Sequence, residues 1–324
     1  MANLEFEQLL KKLKTNKRII IQAHDFPDHD AISSAFALAY LLKELGHNPY
    51  ITYQGYIDRI SLKNMINLLS IPVIETHLLN LQPDDKIIIV DGCIGEKNIT
   101  DLPGLEVGVI DHHNVTAPDF VWYSDIRSNY GSTATIMVEY FKYFKISIPT
   151  DIATALLVGL SFDTANFTRA VSPQDLQALF TLQSKANTDL VHRICRNQIE
   201  LDELMLFESL ISTMKREGNA AFSSLPKGCS KNMLGVLGDF LLSVHEIDIV
   251  VLSAQCNERT YLSLRSECNK NNVEKIIRNT LNDSGIGFGG GHSHMAGGVL
   301  NSSSLRCNSV EYIYDLFKPN LVLS

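Results

Sequence analysis

The chain has 324 residues, 45% hydrophobic and 20% charged, with a net charge of −8, enough length for two ordinary domains that each bury a core. No uninterrupted apolar run approaches the roughly 18–20 residues of a membrane helix, and Cys93, Cys195, Cys229, Cys256, Cys268 and Cys307 contain no CxxC pair, which argues against a disulfide framework or a thiolate zinc site. The acid excess lies in residues 1–219, with 19 Lys/Arg against 27 Asp/Glu, while residues 220–324 balance at 9 each and long basic tracts are absent; this disfavours long duplex nucleic acid and favours a small or short anionic substrate.

The amphipathic pattern Leu4, Phe6, Leu9, Leu10, Leu13 reads as an opening helix rather than a signal peptide, so a cytoplasmic location is the default expectation. Residues 18–23 form a β-rich run, and a helix follows over 30–45 with Gly46 as its C-cap. Strands are predicted at 49–53, 86–90 and 107–110, and helices at 131–144, 151–160 and 172–182. Alternation of this kind predicts an α/β domain with a largely parallel sheet flanked by helices. Residues 188–214 carry one long helical pattern with few breakers, read as a connecting helix. A smaller α+β unit then has strands at 233–237, 247–252 and 260–264, a helix at 273–281 and a glycine-rich stretch at 285–298. The expected division is 1–187, a connecting helix over 188–216, and 217–324, with a cleft between the units as the natural substrate site.

Chemistry concentrates where these elements end. His24, Asp28 and Asp30 directly follow the first strand, a position where α/β proteins place ligands, although an acidic loop capping the helix through Asp30 fits equally well. Asp91 closes the run 86–90 and serves either catalysis or a turn at Gly92. Asp111, His112 and His113 follow the strand 107–110, where two histidines beside an aspartate are uncommon, and a polar loop is the plain alternative. Asp163 ends an apolar helix and could be a cap. Together His24, Asp28, Asp30, Asp91, His112 and Asp163 supply four carboxylates and two imidazoles, a set suited to Mn²⁺, Mg²⁺ or Fe²⁺. Six ligands exceed one open ion but suit two, about 3.5–4 Å apart and bridged by one carboxylate, whose usual work is phosphoryl chemistry.

The order His24-x3-Asp28-x-Asp30-Ala31, Val90-Asp91, Asp111-His112-His113-Asn114 and Gly159-x3-Asp163-Thr164 resembles the four motifs of the DHH phosphoesterase superfamily. Gly289-Gly290-Gly291-His292 with Ala296-Gly297 resembles the glycine-rich box of the DHHA1 domain, and Ser263-Leu264-Arg265-Ser266 its arginine motif. The resemblance implies a DHH domain followed by a DHHA1 substrate domain. It implies two divalent cations, most often Mn²⁺: His24 and Asp28 on one, Asp30, His112 and Asp163 on the other, with Asp91 bridging. Asp111 would orient a ligating imidazole, and His113 would protonate the leaving group. Arg265, Ser266, Gly290, Gly291 and His292 would grip the substrate.

Ser33, His294 and Met295 depart from the family pattern, as does the absence of an arginine after Asp91. These departures touch substrate preference and remove no ligand. By length and domain pair the chain resembles the bifunctional oligoribonuclease and pAp phosphatase group, which implies short single-stranded oligonucleotides, linear dinucleotides or pAp as substrates, no long duplex or membrane partner, and room for a homodimer. A phosphodiesterase of cyclic-dinucleotide turnover and a non-catalytic nucleotide sensor are the alternatives; the glycine box speaks against the pyrophosphatase branch. His29 and His294 flank motifs, whereas His47, His77, His192 and His245 read as ordinary histidines. Trp122 and Tyr123 fit base stacking or core equally, and Arg127 and Tyr130 are undecided.

Overall fold

The computed structural model describes residues 2–13, 18–226, 229–256, 259–268, 270–301 and 309–323, divided into two compact units, Met1–Gln198 and Ile199–Ser324. In chain order the first unit comprises α1 (Ala2–Leu13), β1 (Ile19–Ala23), α2 (His29–Glu44), β2 (Pro49–Tyr53), α3 (Ile60–Leu68), β3 (Val73–Glu75), β4 (Lys86–Val90), β5 (Leu105–Asp111), β6 (Tyr123–Ile126), α4 (Thr133–Phe144), α5 (Thr150–Asp163), α6 (Pro173–Gln183) and α7 (Thr188–Arg196). Its sheet has the order β3-β2-β1-β4-β5-β6, every neighbouring pair parallel. Strand residues alternate between two apolar layers. Ile19, Ile21, Ile88 and Val90 join the cluster that holds Leu38, Phe141 and Leu156 of the helices. Ile20, Ile87, Ile89 and Val109 meet Ile99 and Leu102 of the connecting segments on the other side. A strand buried on both faces is a nearly continuous apolar run, which is why β1 reads Ile-Ile-Ile-Gln-Ala without alternation, its one polar side chain, Gln22, donating to the Thr100 carbonyl at 2.8 Å.

The strand order reverses between β1 and β4, which are nevertheless hydrogen-bonded neighbours. The crevice at the carboxyl ends of such a pair is where open α/β sheets bind ligands. His24 follows β1 and Asp91 follows β4, so both enter that crevice at the ends of adjacent strands.

The second unit comprises α8 (Leu204–Thr213), β7 (Lys215–Glu217), β8 (Ala220–Leu225), α9 (Lys231–Leu242), β9 (Ile249–Cys256), β10 (Arg259–Ser266), α10 (Val273–Ile277), which continues as a π-helical turn over Arg278–Asn282, β11 (Gly287–Gly291), β12 (Met295–Leu300) and α11 (Val310–Phe317). Its sheet order is β11-β12-β10-β9-β8-β7, with β8 and β9 parallel and the other pairs antiparallel.

Two sequence expectations change. Residues 233–237 lie in a helix, not a strand. Ser230 accepts a hydrogen bond from the Met233 N–H as its N-cap, and Leu234, Leu237 and Leu241, spaced three and four apart, share one buried cluster; a short apolar run does not reveal its period until its flanks are placed. The single connecting helix over 188–216 is two helices, α7 and α8, with the chain breaking between Asn197 and Glu200, and the division between units falls at Gln198. Cys93, Cys195, Cys229 and Cys268 are free thiols, and Cys307 lies outside the described residues. Among the described residues no helix is long and apolar enough to cross a membrane.

Candidate metal centre

The turn after β1 delivers the first candidate ligands. Asp25 is tied away from the crevice, its carboxylate accepting the Thr100 N–H at 3.1 Å and the Thr100 hydroxyl at 2.6 Å. His24 Nδ1 meets the Asp25 carbonyl at 2.9 Å; a carbonyl only accepts, so Nδ1 carries the hydrogen and Nε2 is left as the donor atom for a ligand. Asp28, not Asp30, is the N-cap of α2. Its Oδ1 accepts the N–H groups of Asp30 and Ala31 at 3.0 and 3.1 Å, while its Oδ2 stands 3.7 Å from His24 Nε2. One Asp28 oxygen thus caps the helix, and the other faces His24.

Asp91 has φ 59°, a left-handed conformation that aspartate tolerates better than most residues. Its N–H donates to the Ile110 carbonyl. In this pose Oδ2 is 3.7 Å from His24 Nε2 and Oδ1 is 3.6 Å from His112 Nε2. Asp163, the last residue of α5, brings Oδ2 to 3.1 Å from the same His112 nitrogen. Gly159 permits this approach: a Cβ there would lie 2.3 Å from Ser33 Oγ and 3.0 Å from the Asp30 Cα, so only glycine lets α5 cross α2 so closely. Ligand atoms of His24, Asp28 and Asp91 lie within 4.8 Å of one another, as do those of Asp30, Asp91, His112 and Asp163, and Asp91 belongs to both groups.

The donor chemistry fits divalent cations. His112 Nδ1 meets the Tyr130 carbonyl at 3.2 Å, so Nδ1 carries a hydrogen and Nε2 is the ring atom turned to the carboxylates. That buried Nε2 makes no hydrogen bond although the Asp163 oxygen is near. Two imidazole Nε2 atoms set this close to carboxylate oxygens call for positive charge between them, a proton or a metal cation. The electrostatics carry the same message. Burial opposes the charged form of His24, but Asp28 and Asp91 outweigh it and raise its pKa to about 10. Burial likewise opposes charge on His112, and Asp163, Asp91 and Asp30 raise it well above the usual histidine range. Among the carboxylates, burial and then the Asp28 charge push Asp163 up to about 6, and burial with the charges of Asp91 and Asp163 raises Asp30 strongly. The crevice is a buried cluster of acids that draws positive charge.

Asp111 has a different partner from the one expected. Its Oδ1 accepts the N–H groups of His112 and His113 and the Nδ1–H of His113 at 2.8 Å. The imidazole it orients is thus His113, and His112 is oriented by the Tyr130 backbone. Burial opposes protonated His113, but the Asp111 hydrogen bond and the Asp91 charge raise its pKa above the usual value. Tyr130 is held in turn by Arg127, whose guanidinium donates to both Asp125 oxygens, to Glu139 and to the Tyr130 hydroxyl. Arg127 and Tyr130 therefore support the site from behind. Tyr123 is core, packed on Phe6, whereas Trp122 is exposed with Lys12 and Lys86 over its ring. His29 is buried, stacked on Phe162 with 3.6 Å between ring centroids and 3.0 Å from Ser61 Oγ, and burial lowers its pKa to about 3, so it is a neutral packing residue.

In the second unit Arg265, Gly291 and His292 line a pocket of about 480 Å³ together with Lys231, Tyr261 and Phe288. Two glycines of α9 make room for the arginine: a Cβ at Gly235 would meet its Nη2 at 2.8 Å and one at Gly238 its Cγ at 3.0 Å. Asp239 accepts from Arg265 Nε at 3.2 Å. Gly291 has φ 145°, and a Cβ there would lie 2.4 Å from the Met295 carbonyl oxygen. Two expected contacts are absent from this pocket. Ser266 is buried and its hydroxyl bridges the backbone of Cys268, and Gly290 pairs with Gly297 in the sheet without bordering the cavity. His294 Nδ1 bonds the Ser266 carbonyl, a hairpin tie. Phe288, Lys231 and Tyr261 had no motif to mark them; the phenylalanine set between Gly287 and Gly289 was the one signal in the sequence.

The profile of the DHH family, N-terminal domain, matches residues 18–160. The first unit belongs to the DHH family. An uncharacterized protein of Methanocaldococcus jannaschii is 29% identical over 290 residues, covering 89% of this chain and 59% of its own length. The cyclic-di-AMP phosphodiesterase GdpP of Bacillus subtilis is 25% identical over 321 residues, covering 91% of this chain and 47% of GdpP. The chain thus spans about half the length of these two relatives. An exopolyphosphatase-related protein from Bacteroides fragilis superposes with a TM-score of 0.79 at 20% identity, over 98% of this chain and 94% of that one, and shares the fold.

Proposed function

We propose that the chain is a metal-dependent phosphoesterase that uses two divalent cations, most often Mn²⁺, to hydrolyse short single-stranded oligonucleotides, linear dinucleotides or a nucleoside 3′,5′-bisphosphate such as pAp. The observation that carries this reading is the position of Asp91, whose two oxygens face two separate ligand groups, one with His24 and Asp28 and the other with Asp30, His112 and Asp163. Cations held there would supply activation of water and neutralisation of charge at the phosphoryl oxygens. The protein's own residues do the rest. His24 and His112 keep their Nδ1 hydrogens on backbone carbonyls and present Nε2. His113, oriented and kept protonated by Asp111, donates a proton to the departing oxygen. Arg265 offers a planar fork for a terminal phosphate, and Phe288 a face on which a base can stack.

The likeness to GdpP over 91% of this chain favours a second reading, hydrolysis of cyclic di-AMP or its linear product pApA. Both are tested by incubating the purified chain with Mn²⁺ and pApA, pGpG, pAp or cyclic di-AMP while measuring bound metal in the same preparation. Turnover of linear species and pAp supports the first reading, and preference for the cyclic compound the second. No turnover of any of them by protein holding both ions overturns both.

A further inference from the structure

We propose that Thr133 is a positioning residue that ties the two halves of the metal centre together, its backbone N–H holding Asp30 and its hydroxyl holding Asp91. The inference rests on the two-metal reading above. Asp30 comes from the first turn of α2, Asp91 from the end of β4, and Thr133 from the first turn of α4. The Thr133 N–H donates to Asp30 Oδ2 at 2.6 Å, and the Ala134 N–H to Asp30 Oδ1 at 2.9 Å. The Thr133 hydroxyl donates to Asp91 Oδ1 at 2.9 Å. All three residues are fully or almost fully buried.

The physical need for such a tie is plain. Asp30 and Asp91 are buried acids whose oxygens come within 4.8 Å, and like charges at that distance push apart in a medium poorer in water than bulk. Each must still keep lone pairs directed at an ion. A donor that reaches both carboxylates from one rigid residue holds their separation without neutralising either. Threonine suits the task because branching at Cβ restricts its side chain to few rotamers. The helix start it sits on is itself anchored. Ser132 caps the Thr135 N–H. Asp175 accepts the Gly131 N–H at 2.9 Å and the Thr135 hydroxyl at 2.5 Å. A Cβ at Gly131 would lie 2.7 Å from the Ala170 carbonyl, so this junction packs without slack. The first two free N–H groups of α4 are thus spent on Asp30, which places the positive end of the helix against a candidate ligand.

The test compares the full chain with Thr133→Val, Thr133→Ser and Thr135→Val after chelator treatment, titrating MnCl₂ by calorimetry and recording Mn²⁺ electron paramagnetic resonance. Wild type is expected to take up two ions and show the spin-coupled spectrum of a close pair. Thr133→Val, equal in shape but without the donor, should bind one or both ions ~10- to 100-fold more weakly, the size typical of losing the partner behind a metal ligand, and lose the coupled spectrum. Thr133→Ser restores the donor and should stay near wild type. Thr135→Val removes a hydroxyl from the same helix that reaches Asp175 instead, and should leave Mn²⁺ binding unchanged. Two ions bound by Thr133→Val with wild-type affinity and coupling would overturn the proposal, as would equal weakening in Thr135→Val, which would assign the effect to helix stability. If wild type itself binds fewer than two ions, the two-metal reading fails and the tie fails with it.

Discussion

Replacing Asp91 by asparagine separates the electrostatic role of this residue from its structural one. Asparagine accepts the left-handed backbone at φ 59° and can still receive the Thr133 hydroxyl, so the turn after β4 is expected to survive. What disappears is the negative charge 3.7 Å from His24 Nε2 and 3.6 Å from His112 Nε2, and with it the proposed shared ligand of both groups. Burial and then the charge of Asp28 raise the Asp91 pKa, so ionising it costs the metal-free fold stability at neutral pH. A neutral isostere removes that cost, and the metal-free variant should melt at or above the temperature of metal-free wild type. With Mn²⁺ the order reverses. An ion supplied at 100 times its dissociation constant stabilises by ~2.7 kcal/mol, hence ~5 kcal/mol for two independent ions. For a unit the size of Met1–Gln198, that corresponds to a rise of roughly 10–20 °C in melting temperature. Calorimetric melting of chelator-treated protein with and without Mn²⁺ measures both quantities. If Asp91→Asn retains half or more of the wild-type Mn²⁺ shift, Asp91 is not the shared ligand.

Three further outcomes follow from the same geometry. Because His24 is raised to about 10 in the metal-free crevice, Mn²⁺ must displace its proton at pH 7, so binding should release protons and weaken as pH falls; titrations in buffers of different ionisation enthalpy that give equal heats would contradict this. Asp111→Asn keeps an acceptor for the His113 Nδ1–H but removes the negative charge that helps hold the His113 pKa up against burial. The acid form is then lost at lower pH, and the alkaline limb of kcat for pApA should move downward, so an unmoved limb excludes His113 as the acid held by Asp111. Gly291→Ala puts a methyl 2.4 Å from one backbone atom and 2.7 Å from another at φ 145°. Strain of this kind costs ~1–3 kcal/mol and should raise KM while Mn²⁺ binding by the first unit stays intact; unchanged KM would remove this pocket from substrate recognition.

The sequence of this protein determined by itself the chemical identity of the candidate ligands and the class of the first fold. Both are local: a strand buried on two faces is an apolar run, and a polar residue that ends such a run marks the carboxyl edge of a sheet. His24, Asp91 and His112 are legible for that reason, and the fixed spacing from Asp28 to Asp30 follows from one helix start. Local pattern was less able to type short apolar segments, as at 233–237, where the cap at Ser230 and the packing of Leu234, Leu237 and Leu241 chose a helix.

Partner choice was decided only by tertiary structure. That β1 lies beside β4 comes from the strand order, and that adjacency puts His24 and Asp28 within reach of Asp91. Asp111 binds His113 while Tyr130 takes His112, because the segment after β6 returns a carbonyl to the ring. Ser266 turns inward on Cys268, and Thr133 reaches two acids 103 and 42 positions away along the chain. A hydrogen bond is specified by distance and direction between atoms, and those are properties of packed elements that no spacing along the chain encodes.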